Sequence, residues 1–344
     1  MTNSLTRPGL RDPGDLIAAV PHLLGFHPDD SIVVLLVRGH DVAVTLRVDL
    51  PPPDAPTRSS RKLLAPLARY GGDAAVIVVV GGGSGDPPED LPHAGLVDEV
   101  CASLDAVDVP LVLAVWTRAT AKGERWFDYR DVGGSGTVPD PSSTVLAASS
   151  AAAGHVTYAS RDAMRDLLTP DPPEALARRT ALLNRLAADH PPPEDVVPTR
   201  HRDLVHAEVV RAADRKRLLT DEEVADLAHA LSHPLTRDSA LAYCVGEHAR
   251  GAEVLWTELT RASPVPERAE PATLLAFSAY ARGLGSLAAV ALDRAEEANP
   301  GHRLADLLRT ALTTGLPPEQ IRDLAERSAA TEWTAPPTTG DPFG

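Results

Sequence analysis

Between Pro21 and Ser31 the chain reads PHLLGFHPDDS, which sets His22, His27, Asp29, Asp30 and Ser31 within a single short stretch. Imidazoles and carboxylates exchange protons near neutral pH and are common metal ligands. Such a group could carry acid–base chemistry, hold a small ligand or contribute to a metal site. The same residues also suit a purely structural role: Gly25 turns the chain, Phe26 anchors it, and Asp29 or Asp30 accepts hydrogen bonds from turn amides ahead of a strand. His22 falls in a helical stretch and His27 in a turn, with no third histidine nearby, so metal is the least favoured of these readings. A ligand site centred on the His27–Asp30 turn and a structural turn both remain open.

Other stretches carry chemistry-bearing residue types. Gly81-Gly82-Gly83-Ser84-Gly85 follows an apolar run, where α/β folds cradle phosphate on loop amides. It leads into Asp86-Pro87-Pro88-Glu89-Asp90, without lysine and without a GxGxxG or Walker pattern, which points to a surface loop. His229 and His233, with Asp226 one turn earlier, have the spacing of half a zinc site. The HExxH pattern is absent, and their place before Pro234 suggests solvent exposure or contacts with a helix C-terminus. Arg200, Arg202, Arg211, Arg215, Lys216 and Arg217 outnumber Asp203, Glu208 and Asp214 along what reads as one helix. Arg200, Arg202, Arg211 and Arg215 are candidates for an anion or partner contact, against the alternative of ion pairs along a solvated face. No aromatic residue interleaves with them, which argues against stacking of single-stranded nucleic acid. No GxSxG elbow occurs, and Ser84, Ser135, Cys101 and Cys244 have no sequence-readable activating partner. No catalytic residue, metal site or cofactor is assigned.

The elements that must position these residues follow from patterning. Asp12 is a good N-cap, Pro13 fits the first helical position, and Leu16, Val20, Leu23 and Leu24 form one stripe. Pro21 should kink or divide this helix, and Gly25 should end it. SIVVLLVR at 31–38 reads as a strand with DVAVTLRVDL at 41–50 as its hairpin partner. AAVIVVV at 74–80 and PLVLAVWT at 110–117 read as buried strands, with helices over 58–70 and 91–107. RWFDYRD at 125–131 alternates as an edge strand would, 132–143 is a loop, 143–153 a small-residue helix and 155–161 a further short strand.

From about Pro172 helical periodicity takes over, interrupted by a stiff proline-rich connector at 189–199. The expected architecture is an α/β N-terminal domain with a mixed sheet over 10–171, an all-α helical domain over 172–330, and a disordered tail over 331–344. Within 269–302, Leu275, Ala276 and Ala279 followed by Ala288, Leu292, Ala295 and Pro300 have the spacing of a tetratricopeptide unit. A tetratricopeptide-like array and a plain helical hairpin bundle are both compatible with it.

Composition sets the outer limits. The chain has 344 residues, 43% hydrophobic, with a formal charge of -15. That balance repels nucleic acid and anionic membrane over most of the surface. Lys62, Lys122 and Lys216 are the only lysines among 33 basic residues, a coding bias of GC-rich genomes before it is a functional signal. Cys101 and Cys244 are expected as buried, reduced thiols. No apolar run reaches the roughly 18 residues of a membrane span and no signal pattern opens the chain, so a cytoplasmic protein is expected.

The block LRDPGDLIAAVPHLLGFHPDDSIVVLLVRG, with the later GSLAAVALDRAEEANPGHRLADLLRTALTTGLPP, resembles the domain of unknown function 4192 family of actinobacterial proteins, from about Leu10 to about Leu324. The resemblance implies a cytoplasmic protein without an assigned reaction. It also implies a departure: many members carry a cysteine pair in the loop after a tryptophan-containing strand, whereas Trp126 through Pro141 here holds none. With catalytic motifs missing, the expected role is a non-catalytic protein-binding or adaptor module whose helical domain holds a protein partner. The alternative is a small-molecule-binding protein or enzyme using the His27–Asp30 turn.

Overall fold

The computed structural model describes residues 12–39, 41–51, 67, 69–70, 72–83, 91–131, 133–152, 154–189 and 199–331. The chain forms two compact units, Met1–Arg165 with Thr313–Leu316, and Asp166–Leu312 with Pro317–Gly344.

The first unit is built on a mixed six-stranded sheet in the order β2-β1-β3-β4-β5-β6. Its strands are β1 (Ser31–Arg38), β2 (Asp41–Asp49), β3 (Ala74–Val80), β4 (Leu111–Thr117), β5 (Arg125–Asp128) and β6 (Ser135–Thr137). β1 pairs antiparallel with both β2 and β3, while β3 and β4 run parallel. A parallel pair needs a crossover, and α2 (Ala94–Asp105) supplies it. Ile32, Val34, Ile77, Val79, Ala114 and Trp116 pack on one face with Leu96, Val97, Val100 and Leu104 of α2. Val33, Leu35, Val78, Val80 and Val115 on the alternate positions are equally buried. Burial on both faces is why these strands are almost continuously apolar.

α1 (Pro13–Leu24) is capped as its sequence suggests: the Asp12 carboxylate accepts the Gly14 N–H at 2.8 Å, and Gly25 ends the helix at φ 80°. Pro21 does not divide it. Three residues from the end, the ring removes one N–H from the ladder and is itself buried. The stretch 143–153 resolves into a 3-10 turn, Pro141–Ser143, and α3 (Val145–Ala152), followed by α4 (Arg161–Asp166). The strand expected at 155–161 shrinks to one bridge between Phe26 and Tyr158. β5 is not an edge: β6, inside the stretch read as a loop, pairs outside it. A Ser-Gly-Thr strand carries no hydrophobic alternation to announce it. Of the helix expected over 58–70, only the few described residues at 67 and 69–70 are helical. The acidic run after Gly85, the proline-rich connector and the tail lie outside the described residues.

The second unit is helical: α5 (Pro173–Asp189), α6 (Thr199–Ala212), α7 (Asp221–Leu231), α8 (Pro234–Ala240), α9 (Ala249–Ala262), α10 (Ala269–Ala281), α11 (Gly285–Ala298), α12 (Arg303–Thr313) and α13 (Pro318–Thr331). Short 3-10 turns at Leu241–Cys244 and Gly246–His248 join α8 to α9. In α10 every residue but Glu270 is buried, because a helix apolar all round must sit inside others. It packs against α7, α8, α9, α11, α13 and the Leu241–Cys244 turn. The α10–α11 hairpin, turned by Gly283 at φ 81° and packed through Ala288, Leu292 and Ala295, is thus the centre of a bundle. In a solenoid each repeat would touch only its neighbours. The last carbonyls of α9, on Arg261, Ala262 and Ser263, accept from the Asp171 amide, the Arg179 guanidinium and the Arg268 guanidinium respectively. Cations at a helix C-terminus are favoured by its partial negative charge.

Candidate functional site

The PHLLGFHPDDS segment joins the end of α1 to the start of β1, and each polar side chain in it meets a partner from elsewhere in the chain or its own turn. His22 Nε2 lies 2.9 Å from the Pro141 carbonyl, which can only accept, so Nε2 carries the proton. Nδ1 lies 2.9 Å from the Thr157 hydroxyl. The half-buried His27 has its Nδ1 3.1 Å from Thr120 Oγ1, and Thr120 is itself buried. Asp29 is exposed, and its carboxylate accepts the Asp30 N–H at 3.0 Å. Asp30 adopts φ 37°, and its carboxylate accepts the Gly82 N–H at 2.7 Å while its carbonyl accepts the Leu50 N–H. Ser31, fully buried, donates to the Asp29 carbonyl and accepts from Arg47 Nε at 2.8 Å.

Sheet register explains how these groups meet. Ser31 pairs with Asp49 and Val80, and Val80 pairs with Thr117, so the start of β1 and the ends of β2, β3 and β4 form one row. Arg47 reaches into this row between Ser31 and Asp49, with its guanidinium 5.7 Å from the Phe26 ring centre. Gly81 accepts from Trp116 Nε1 at 2.8 Å and stands at φ 77°; a Cβ there would lie 2.5 Å from the Asp30 carboxylate. Gly81 is therefore needed for close packing against Asp30, and the Gly82 amide is occupied by a carboxylate. Burial, with His22 nearby, holds the His27 imidazole below its ordinary value, so it is a neutral ring near pH 7. Burial likewise pulls the Arg47 guanidinium down, against the opposing pull of Asp49.

Thr120, Thr157, Arg47 and the Gly82 amide complete this joint; sequence reasoning named Gly82 only as part of a surface loop and missed the other three. They lie 16 to 135 positions from their partners and belong to no motif. The register of the β1–β2 hairpin was the one available signal for Arg47.

The remaining candidates are placed differently from expectation. α6 ends at Ala212, so Arg215 and Arg217 lie in the connector beyond it. Arg211 is paired with Glu208, Arg215 with Glu258 of α9, and Arg217 with Glu223 of α7. Those guanidiniums are committed to carboxylates of the same unit: the Arg211–Glu208 pair lies along α6, and the other two reach α9 and α7. Arg200 is exposed and Arg202 half-buried on α6. His233 is not solvent-exposed: it is 5% exposed at the N-cap of α8. The chain turns sharply at Pro234, which folds His233 inward. His229 sets its ring against the edge of His201. Cys101 is half-buried rather than buried, and burial raises its thiol pKa. Cys244 is buried against the Ala240 and Leu274 carbonyls, and burial pushes its thiol up to about 12. Neither thiol is poised as a nucleophile. Among the described residues no group of three His, Cys, Asp or Glu side chains could hold a metal ion. Nor, among the described residues, is any helix long and apolar enough to cross a membrane.

A mixed α/β sheet followed by a helical bundle, with a hydrogen-bonded helix–turn–strand joint as its most distinctive segment, defines a two-unit architecture. The chain belongs to the family described as Domain of unknown function (DUF4192), which matches residues 13–319. No curated protein and no solved structure matches it.

Proposed function

We propose that this chain is a non-catalytic protein-binding module that holds a protein partner through its helical unit, in the cytoplasm. The observation that carries this reading is a strip of partly exposed rings and apolar surface. His206 and Val210 stand one turn apart on α6, both exposed. His206 continues into Tyr243 and His248, with ring centres 5.7 and 5.6 Å away. Aromatic and apolar groups of this kind are the common anchors of protein interfaces. Arg200 and Arg202 lie on the same helix and fit the polar rim of such a contact. A chain of formal charge -15 favours protein over nucleic acid or anionic membrane as the partner. Two free cysteines suit a reducing compartment.

Affinity capture with the full chain tests it, comparing the unaltered protein with Val210→Glu and Tyr243→Ser. The unaltered chain should retain a stoichiometric protein that both variants lose while circular dichroism shows them folded. Absence of any stoichiometric partner would overturn the proposal.

One observation favours a second reading, a small-molecule site at the His27–Asp30 turn. His27, held neutral, stands beside Thr120 where the parallel strands β3 and β4 both end, the usual ligand position in α/β sheets. A thermal-shift screen of nucleotides, metals and metabolites should then give a hit that His27→Ala abolishes, and silence across the screen removes it.

A further inference from the structure

Helix α6 is held at two places by histidine against histidine. Toward its N-terminus His201 meets His229 of α7, with ring centres 5.5 Å apart and planes at 81°. Further along, His206 meets His248, 5.6 Å apart at 83°, with Tyr243 completing the cluster. His201 Nδ1 is buried without a hydrogen-bond partner, and the buried His233 at the N-cap of α8 lies close enough to act on it. Edge-to-face packing suits neutral rings. If both members of a pair are protonated, two like charges face each other well inside the ~10 Å screening length of salt.

We propose that α6 is a proton-sensitive element, docked on α7 and on the 241–248 turns while these histidines are neutral and loosened when they take up protons. The proposal does not depend on partner binding.

The charges around α6 bear this out. Arg200 on α6 adds to the repulsion at His201, and Asp226 of α7 opposes it. Near the second pair, Glu247 stands 3.5 Å from His248, and Asp203 lies one turn before His206. Both acids are exposed and screened. Of the other carboxylates on neighbouring elements, Glu208 pairs with Arg211, Glu258 with Arg215, Glu253 with Arg282, Glu270 and Asp238 with Arg237 of α8, and Asp221 and Glu223 of α7 with Arg179 and Arg217, while Glu222 of α7 is exposed. Arg250 of α9 is exposed and brings further positive charge near His248.

The sign is fixed by linkage. Burial first, then His229, Arg200 and His233, hold His201 below its ordinary value, so the folded state binds fewer protons than the unfolded one. This contribution to stability is complete above about pH 6.5 and is lost as pH falls through the lower folded value.

Amide hydrogen exchange on the full chain at pH 7.5 and 5.5, corrected for intrinsic exchange, reads the effect directly. Peptides from α6 should lose protection by about tenfold or more at pH 5.5, as repulsion between close charges at moderate effective dielectric requires, while α10 and α11 should not change. The response should vanish in His201→Gln/His206→Gln, and also in His229→Gln/His248→Gln, which removes the same repulsions from the opposite side. Equal protection of α6 at both pH values in the unaltered chain would overturn the proposal. So would a wild-type-like response that survives in either double variant.

Discussion

Asp30 shows how a residue that looks catalytic is used structurally. Its φ of 37° lies in a region that aspartate and asparagine tolerate better than other side chains, and its carboxylate binds the Gly82 amide across the sheet end. Asp30→Ala should lose both that bond and the tolerance, costing about 1–3 kcal/mol in urea unfolding, whereas Asp30→Asn should cost less. His22 is a parallel case. His22→Leu would leave the part-buried Thr157 hydroxyl without its imidazole partner, while the Pro141 carbonyl keeps the Thr144 hydroxyl, and should also cost about 1–3 kcal/mol in the same measurement. The residue types in PHLLGFHPDDS were legible as polar and potentially reactive. Their partners were not, because Thr157 lies 135 positions away from His22 and is brought close by folding alone.

Helix starts and stops were largely written locally. Thr220 and Glu223 form a reciprocal capping box on α7, and Arg217 adds an ion pair to Glu223. The hydrogen bond from Arg217 is the main reason the Glu223 carboxyl falls to about 2. A depressed carboxylate stabilises the fold above its unfolded value and ceases to do so as pH falls through the folded one. The stability gap between wild type and Glu223→Gln should therefore be full at pH 7 and close between about pH 4.5 and 2, followed by thermal melting. Close approaches between elements were not legible. Gly251 on α9 sits against α6 so tightly that a Cβ would lie 2.2 Å from the Val209 carbonyl. Gly251→Ala should force the two helices apart and cost about 1–3 kcal/mol by chemical denaturation. Gly136 of β6 is likewise covered by the Trp126 indole, 2.8 Å from a Cβ, which is why so short a strand has glycine at its centre.

Across the second unit, Arg179 ties separate helices together. It is 8% exposed and holds Asp171, Asp221 and the Ala262 carbonyl, joining α5 to the start of α7 and the end of α9. Arg179→Ala would leave Asp221 with the more exposed Arg178, Asp171 with Arg261 at 3.7 Å, and the Ala262 carbonyl without its guanidinium. Its cost should reach about 1–3 kcal/mol in denaturant unfolding, above that of Lys122→Ala at its exposed pair with Asp140.

The alternation of strand and helix patterns, the caps of α1, the β1–β2 hairpin and the change to helices beyond Pro172 could be read directly from the chain, because they rest on contacts within a few residues. The position of β5 inside the sheet, the placing of α10 at the centre of the bundle, and the pairing of Arg215 with Glu258 could not. Nor could the two histidine pairs on α6. Each of these joins residues through space rather than along the chain, and local periodicity carries no information about which buried surfaces will meet. The same difference applies to the PHLLGFHPDDS segment, whose composition suggests reactivity until its hydrogen-bond partners are known.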